Sequence, residues 1–465
     1  MSNQSVELDQ IVSTNPSDNF SVLGSVKIST PGQIREKVEL ARKALPGWKN
    51  LPLNRRSFYL NSLLEAFIRN QEEIDLLTSK EMGKPISQSK SSFTWSTNHM
   101  RWYLERADQA LSPLVTMETS EEIHHQVLEP YGVAAVIAPW NFPISNFTMG
   151  AFQVLLSGNT VVYKISEEVP LFGELLERLV SEAGLPPGVF NIVTGAKDVG
   201  EELARSGVNL IAFTGSSAVG QQIYKISAEK FIPCLLELGG SDAGILFADA
   251  DLEKCIPDIF WSKFINNGQI CCGIKRLLVE RPILEATLRH LELYIKSQKM
   301  GSPLDADTVF GPLVAKRQAE LLEDQVRDAR EKGARVIECL DVPEDLKGAY
   351  VPVILLTDLN PAMRAWNEEL FGPVLSVIPF DTEAEAISLA NATEYGLSGY
   401  VYTKDKERFQ RIASAVETGS ICLNGCDYSG PANPFGGYKQ SGLGKTGGLA
   451  GFSNVCRMKV ISQPK

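Results

Sequence analysis

The sequence predicts an α/β protein with two doubly wound parallel sheets, and three observations carry that expectation. From Val133 onward, short apolar runs (Val133 to Ala138, Thr160 to Tyr163, Phe190 to Val193, Leu210 to Phe213, Leu235 to Leu238) alternate with helical segments. A parallel sheet with crossover helices reads this way along the chain. In the second half the alternation returns, with runs at Arg276 to Val279, Val336 to Glu338, Val351 to Leu356, Val374 to Ile378, Gly399 to Tyr402 and Ile421 to Leu423, separated by helices such as Ala319 to Glu331 and Thr382 to Ala392. A chain of 465 residues with 44% hydrophobic content also holds two or three domains at roughly 100 to 200 residues each.

Ahead of the first sheet the pattern is helical. Thr30 and Pro31 make a cap and a first-turn proline, after which Ile34, Val38, Ala41 and Leu45 recur at helical spacing. Phe58, Leu60, Leu63, Leu64 and Phe67, then Ile74 and Leu77, continue that period until Gly83 and Pro85 stop it. Val115 to Tyr131 reads as extended structure between helical blocks, and on these residues alone an edge hairpin within one domain fits as well as a projecting arm. The last residues, Val455 to Ile461, are strand-like.

Charge and composition exclude several functions. A net charge of −11 and a pI near 5.2 repel phosphates, so no nucleic-acid partner is expected. Met1 to Gln10 is polar and acidic, and no run of 18 apolar residues exists, so neither a secretory signal nor a membrane span is expected and the setting should be cytoplasmic. Eight cysteines are too few for a disulfide scaffold at this length. His99, His124, His125 and His290 have no ligand spacing, and Cys422 and Cys426 lack a second pair, so no metal is expected.

The chemistry concentrates between Glu237 and Cys272. Glu237-Leu238-Gly239-Gly240 stands ahead of an apolar helix-like segment, and Asn266-Asn267-Gly268-Gln269-Ile270-Cys271-Cys272 follows it. A thiol becomes a nucleophile where its surroundings favour the thiolate, and a nearby carboxylate can activate water to release an acyl group. Taken alone, such a Cys is also an ordinary buried hydrophobe and such a Glu a solvated charge. Strand ends supply further candidates, because ligands of parallel sheets lie at the carboxyl ends of strands. Thr214-Gly215-Ser216 through Gly220 forms a strand-to-helix turn that favours a pyrophosphate, although such turns also begin ordinary helices.

Several of these motifs together resemble the aldehyde dehydrogenase superfamily. Glu-Leu-Gly-Gly and Gly-Gln-x-Cys are similar to its two active-site signatures, Pro139-Trp140-Asn141-Phe142-Pro143 to its Pro-Trp-Asn-Phe-Pro, and Phe213-Thr214-Gly215-Ser216 with Gly220 to its Phe-Thr-Gly-Ser-x-x-x-Gly. Glu81 to Pro85, Glu369-Leu370-Phe371-Gly372-Pro373 and the glycine-dense Asn433 to Gly444 loop resemble further family motifs in the family's order. The resemblance, which spans about residues 15 to 460, implies two Rossmann-like domains and a small β oligomerisation arm. Residues 1–113 and 132–236 would bind NAD, 237–449 would carry the nucleophile, and 114–131 with 450–465 would form the arm of a homodimer or homotetramer.

Roles follow by the same resemblance. Cys271 is the nucleophile, Glu237 the general base and Asn141 the oxyanion donor. Pro139, Trp140, Lys164, Glu167, Thr214, Gly215, Ser216, Gly220, Leu238, Glu369 and Phe371 would hold the cofactor, with Glu369 on the nicotinamide ribose and Phe371 against its ring. Glu167 near the adenosine ribose implies NAD before NADP, since a carboxylate accepts from ribose hydroxyls and repels a phosphate. Phe142, Ser145, Asn146, Met149, Ile270, Cys272, Asp427, Ser429 and Phe435 would line the aldehyde pocket. The implied reaction oxidises an aldehyde to the acid through a cysteine thiohemiacetal and thioester. Acyl transfer to coenzyme A is the alternative, against which Glu237 speaks, and an inactive structural relative would be expected to lack Cys271.

Three departures from the family pattern stand out. Gly444-Lys445-Thr446 replaces a usual Gly-Arg-Glu, which puts a proton relay through that glutamate in doubt, and Ser241 replaces a usual lysine. Members that oxidise succinate semialdehyde carry arginines where this chain has Met149 and Ile265, so a four-carbon carboxylate would lose its charge partners.

Overall fold

A computed structural model describes residues 9–465; Met1–Leu8, most of the stretch on which the absence of a signal was read, lies outside the described residues. Two largely parallel sheets organise the chain, in the two Rossmann-like units expected. The first has the order Gly442–Leu443, Cys234–Glu237, Leu210–Thr214, Val133–Ile137, Thr160–Ile165, Phe190–Thr194, all parallel except the short antiparallel Gly442–Leu443. The second has the order Arg335–Leu340, Val353–Thr357, Val374–Phe380, Ile274–Glu280, Asp242–Leu246, Ser398–Tyr402, Ser420–Leu423, with only its Arg335–Leu340 edge antiparallel.

Alternation along the central strands explains why both faces are covered. Val133, Ala135 and Ile137 pack with Ile34, Val38 and Ala41 on one side, whereas Ala134, Val136 and Ala138 pack with Phe147, Phe152 and Leu155 on the other. In the second sheet Leu277 and Val279 join a core with Phe260 and Phe264, while Leu278 faces Ile378 and Val401. Strands buried on both faces read as continuous apolar runs.

The helical amino-terminal region follows the apolar period, with two differences. The helix expected from Thr30 is Pro31–Lys49, and Thr30 and Gln33 form a reciprocal capping box. The period through Phe58 and Leu77 belongs to two helices, Leu53–Arg69 and Gln71–Met82, because Asn70 leaves helical geometry and turns its side-chain Nδ2 back to the Ala66 carbonyl (2.8 Å). Gly83 ends the second helix at a left-handed φ of 78°, where a Cβ would lie 2.5 Å from Pro312 Cγ. Pro85 does not end the helical region: it precedes a further helix, Ile86–Leu111, of 26 residues, as a proline can where the first turn needs no donor.

The segment read as either hairpin or arm is Leu114–Glu118 paired with Glu122–Pro130, and Cys456–Pro464 adds to it antiparallel as a third strand. Leu114, Val115, Met117, Met458, Val460 and Ile461 are exposed on this sheet. No helix among the described residues is long and apolar enough to cross a membrane.

Glu81 ties the amino-terminal strand Gln10–Asn15 to the first parallel sheet's helical cover. Its buried carboxylate accepts from Ser13 Oγ (2.7 Å) and from the N–H groups of Leu171 (2.8 Å) and Phe172 (2.9 Å), in the first turn of the helix Pro170–Glu182. Burial pushes this carboxyl up to about 7, against the pull of its three donors. Glu81→Leu should therefore lower stability by about 2–4 kcal/mol, since it leaves two backbone donors and a hydroxyl without their acceptor. An unchanged urea midpoint in equilibrium unfolding would show that these ties are redundant.

Candidate active site

The order of the first sheet reverses between Leu210–Thr214 and Val133–Ile137: from the Val133 strand the chain proceeds outward to Thr160 and Phe190, then returns on the other side. A ligand-binding crevice opens at the carboxyl ends of such a strand pair. Here those ends run into Pro139-Trp140-Asn141 and Thr214-Gly215-Ser216, and both line a cavity of about 760 Å³. Glu237 ends the neighbouring strand Cys234–Glu237, and the next few residues cross to Asp242 at the start of the second sheet. The thiols Cys271 and Cys272 precede the Ile274–Glu280 strand. Carboxyl ends of one sheet thus face amino ends of the other across the cavity.

The nucleophile loop is built on an unusual backbone. Asn266, Asn267 and Gly268 all have left-handed φ (54°, 58° and 75°), a conformation that asparagine tolerates and glycine adopts freely. A Cβ at Gly268 would lie 2.1 Å from the Gly372 carbonyl oxygen, so no other residue fits there. Side chains on both sides fix this turn. Asn266 N donates to Gln88 Oε1 (2.6 Å), Asn266 Nδ2 to the Asn141 carbonyl (2.9 Å), and Val314 N to Gln269 Oε1 (2.9 Å). Asn141 Nδ2 itself donates to the Gln269 carbonyl (3.1 Å), two residues before Cys271. Sequence reasoning missed Lys275, whose motif neighbours gave no sign of its burial. Its Nζ is enclosed, donating to the carbonyls of Ile270, Cys271 (3.0 Å) and Gly273 (3.4 Å), and it stands 3.5 Å from Glu369 Oε1.

Electrostatics follow from this packing. The Cys271 S–H donates to Cys272, which pulls the Cys272 thiol down to about 7, whereas the same hydrogen bond and burial push Cys271 well up. The two thiols therefore titrate as a pair rather than singly. Lys275 favours the thiolate at both. Burial also pushes Glu237 well above the usual carboxylate range, opposed by Lys445 and by Thr446 Oγ1, which donates to Glu237 Oε1 (3.4 Å). The departure at Lys445-Thr446 thus lies against the candidate base. Glu237 Oε2 is buried without a partner among the described residues, an oxygen free for a ligand or water.

Most expected cofactor residues meet in the cavity. Pro139, Trp140, Thr214, Gly215, Ser216, Leu238, Glu369 and Phe371 all line it. Trp140 and Phe371 meet edge to face with centroids 5.7 Å apart, and Gly240 N donates to Glu369 Oε1 (3.3 Å). Gly220, Lys164 and Glu167 lie outside the lining. At Gly220 a Cβ would lie 2.4 Å from Leu238 Cδ2, so the glycine lets the start of its helix approach Leu238 closely. Lys164, near the end of the Thr160–Ile165 strand, is buried and pairs with the half-buried Glu167 just beyond that strand (3.2 Å). The Ser217–Ala228 helix begins at the cavity, with Ser216 accepting from Val219 N as its cap. A helix start beside a glycine turn and flanking aromatic rings fits a dinucleotide.

Phe142, Ser145, Asn146, Met149, Ile270, Cys272, Asp427, Ser429 and Phe435 line the cavity as well. Structure adds Trp95 and His99 from the helix Ile86–Leu111, and Tyr400 and Tyr428 from the second sheet's end. Tyr400 Oη donates to the Cys272 carbonyl (2.5 Å) and shares a hydrogen bond with Tyr428 Oη (2.8 Å). Trp95 and His99 escaped notice because they sit on a helix whose sequence carries few apolar residues.

Comparison with known proteins agrees with this geometry. The family model described as the aldehyde dehydrogenase family matches residues 3–461. A glutarate-semialdehyde dehydrogenase of Pseudomonas putida is 34% identical over 96% of this chain and 93% of its own. The succinate-semialdehyde dehydrogenase [NADP(+)] GabD of Escherichia coli is 33% identical over 96% of this chain and 93% of its own. Among solved structures, an NAD-dependent aldehyde dehydrogenase from Sinorhizobium meliloti superposes with a TM-score of 0.94 at 32% identity, covering 98% of this chain and 91% of the other. With thiol, carboxyl, amide and dinucleotide crevice in one cavity and this match along the whole chain, the protein belongs to the aldehyde dehydrogenase family of NAD(P)-dependent enzymes that oxidise aldehydes to acids.

Proposed function

We propose that Cys271, Asn141 and Glu237 carry the oxidation and that NAD is the preferred cofactor. The observation that supports this most is their convergence on one cavity at the switch point of the first sheet. The Cys271 thiolate attacks the aldehyde carbon. Asn141 Nδ2, already turned toward the nucleophile loop, moves its hydrogen bond to the developing oxyanion, a neutral donor worth roughly a hundredfold to a thousandfold in kcat. Bound NAD would supply the hydride acceptor, held by the Ser217–Ala228 helix start, Glu369 and Phe371. Glu237 then takes a proton from water, which hydrolyses the thioester on Cys271. Lys275 holds the nucleophile loop by its carbonyls and keeps Glu369 oriented, so it acts as a positioning residue.

Burial of Glu237 sets a condition on the last step. A carboxyl pushed well up is largely protonated at acid pH, and only its ionised form accepts a proton from water. Hydrolysis should quicken as pH rises through this raised value.

NAD preference rests on Glu167. Lys164 and Glu167 stand where the resemblance places the adenosine ribose, and the Glu167 charge is kept by Lys164 against burial. A ribose 2′-phosphate beside this carboxylate meets a like charge worth about 1 kcal/mol at 4 Å in water and more in a cleft. The three-stranded sheet, with apolar side chains exposed on Cys456–Pro464, supports a homodimer or homotetramer joined through it. Eight unpaired cysteines, one of them the nucleophile, support a reducing, cytoplasmic setting.

Cys271→Ala should abolish turnover while NAD binding, read by tryptophan fluorescence, survives; Cys272→Ala should be mild. Were Cys272→Ala the lethal change, the nucleophile would be the neighbouring sulfur. Glu237→Gln should leave a rapid burst of NADH followed by a slow steady rate, and should remove the rise of steady-state kcat with pH. A uniform loss without a burst in stopped-flow absorbance would move Glu237 to an earlier step. For cofactor choice, kcat/KM with NAD should exceed that with NADP by about tenfold or more, and Glu167→Ser should narrow the gap. Equal use of both by the unmodified enzyme would take Glu167 out of the cofactor site.

A further inference from the structure

The cavity that holds Cys271 has a distinctive charge. None of its lining residues is a lysine or arginine, whereas Asp258 and Asp427 both line it. Trp95, Tyr428, Phe142 and Phe435 add aromatic surface to the same lining. Three cations lie nearby but outside the lining. Lys275 is spent on loop carbonyls and Glu369, and Lys445 on the Gly436 carbonyl and the Glu237 side. Lys84 is sealed behind Phe142, its Nζ 3.4 Å from the ring centre, and burial drives its amine toward the uncharged form. None of them is placed to receive an anion at the tail of a substrate.

Asp427 is held in place and keeps one oxygen free. Its Oδ1 accepts from both Ser429 N and Ser429 Oγ (2.7 Å each), and Ser429 is in turn held by Trp95 Nε1, which donates to the Ser429 carbonyl (3.2 Å) and Oγ (3.3 Å). The hydrogen bonds among the described residues engage only Oδ1 of Asp427. His99, stacked on Trp95 with centroids 3.6 Å apart, is held toward its neutral form by burial, so it adds no compensating charge. Asp258 accepts from Tyr402 Oη (2.6 Å), on the wall beneath Gly425.

We infer that the aldehyde this enzyme takes bears a cationic, amine-type group at its far end, and that Asp427, beside the rings of Trp95 and Tyr428, selects it over an ω-carboxylate. The inference rests on the reading of the cavity as an aldehyde-oxidising site and extends it to the substrate class. An ammonium beside a carboxylate and over aromatic faces gains from both ion pairing and cation–π attraction, whereas a carboxylate in the same place meets like charge and no donor cation. The relatives named for glutarate and succinate semialdehydes would then differ from this chain in what they read at the tail.

A matched panel tests this: a trimethylammonium butanal, its uncharged tert-butyl isostere, and glutarate semialdehyde, each with the same three-methylene spacer. With saturating NAD, kcat/KM should fall in that order, by tenfold or more from the cation to the carboxylate, and added salt should raise KM for the cation alone. Asp427→Lys should narrow or invert the ratio of cation to carboxylate. Best turnover of the carboxylate, or equal use of cation and uncharged isostere, overturns the inference while leaving the dehydrogenase reading intact. If the folded enzyme oxidises none of the three with either NAD or NADP, the dehydrogenase reading falls and the inference with it. An unchanged ratio in Asp427→Lys removes Asp427 as the selecting residue and overturns the proposal in that form.

Discussion

Three consecutive left-handed residues before the nucleophile are the constraint on which this site depends. Asn266, Asn267 and Gly268 turn the chain so sharply that the backbone of Gly268 approaches the Gly372 carbonyl at a distance closed to any Cβ. Such a turn is unfavourable by itself, costing roughly 1–2 kcal/mol for each ordinary residue held there. Asparagine and glycine soften that cost, and contacts from elsewhere over-determine the rest. The helix Ile86–Leu111 contributes Gln88, the Pro139–Phe142 segment contributes Asn141, and the chain near Val314 closes on Gln269. Folding of three distant segments is thus a precondition for the geometry of one thiol.

Charge balance inside the same region follows a second rule: buried charges are kept where the backbone or an opposite charge meets them. Lys275 has three carbonyls and Glu369; Arg276 donates to the carbonyls of Ser241, Leu389 and Ala390, and burial lowers it to about 10. Lys263 donates to the Leu370 carbonyl (3.1 Å) on the chain leading to Phe371. These cations bind the second sheet's amino ends to the loops that carry Cys271 and Glu369. Asp242 and Glu237, on the link between sheets, lack such full compensation, and burial raises both. A carboxyl that must gain and lose a proton is served by that imbalance, whereas a purely structural one is not.

How much of this was legible in the sequence depends on whether a feature is written in local pattern. Parallel strands such as Thr160–Ile165 and Val374–Phe380 are continuous apolar runs, so their existence could be read directly, whereas their order in the sheet could not. Asp242–Leu246, though central in the second sheet, begins with an acid and contains a glycine, and it escaped notice. Helix Ile86–Leu111 was missed because Pro85 reads as a stop and its buried face uses Ser89, Ser96, Thr97 and His99 among the apolar residues. The break at Asn70 is a choice of backbone geometry that the apolar period does not record. At the site, motif residues could be named one by one, yet Lys275, Trp95, Tyr400 and Tyr428 act only through the fold that gathers them.

The loop around Lys445 and Thr446 shows how a departure from a motif is accommodated. Gly442–Leu443 pairs antiparallel with Leu236 and Glu237, which brings this loop alongside the candidate base whatever its side chains. Phe435 and Thr446 exchange backbone hydrogen bonds of 2.7 and 2.8 Å, and the turn between them carries Lys445 back onto Gly436. A second acid in this position would raise the cost of ionising Glu237 by like-charge repulsion. Threonine instead offers a hydroxyl donor to Glu237 Oε1, and lysine a positive charge that favours the carboxylate. Both act in the same direction, opposing the burial that protonates Glu237. The proposed hydrolysis therefore does not call for a relay through a second glutamate: Thr446 engages Oε1, and Oε2 is left buried without a partner among the described residues.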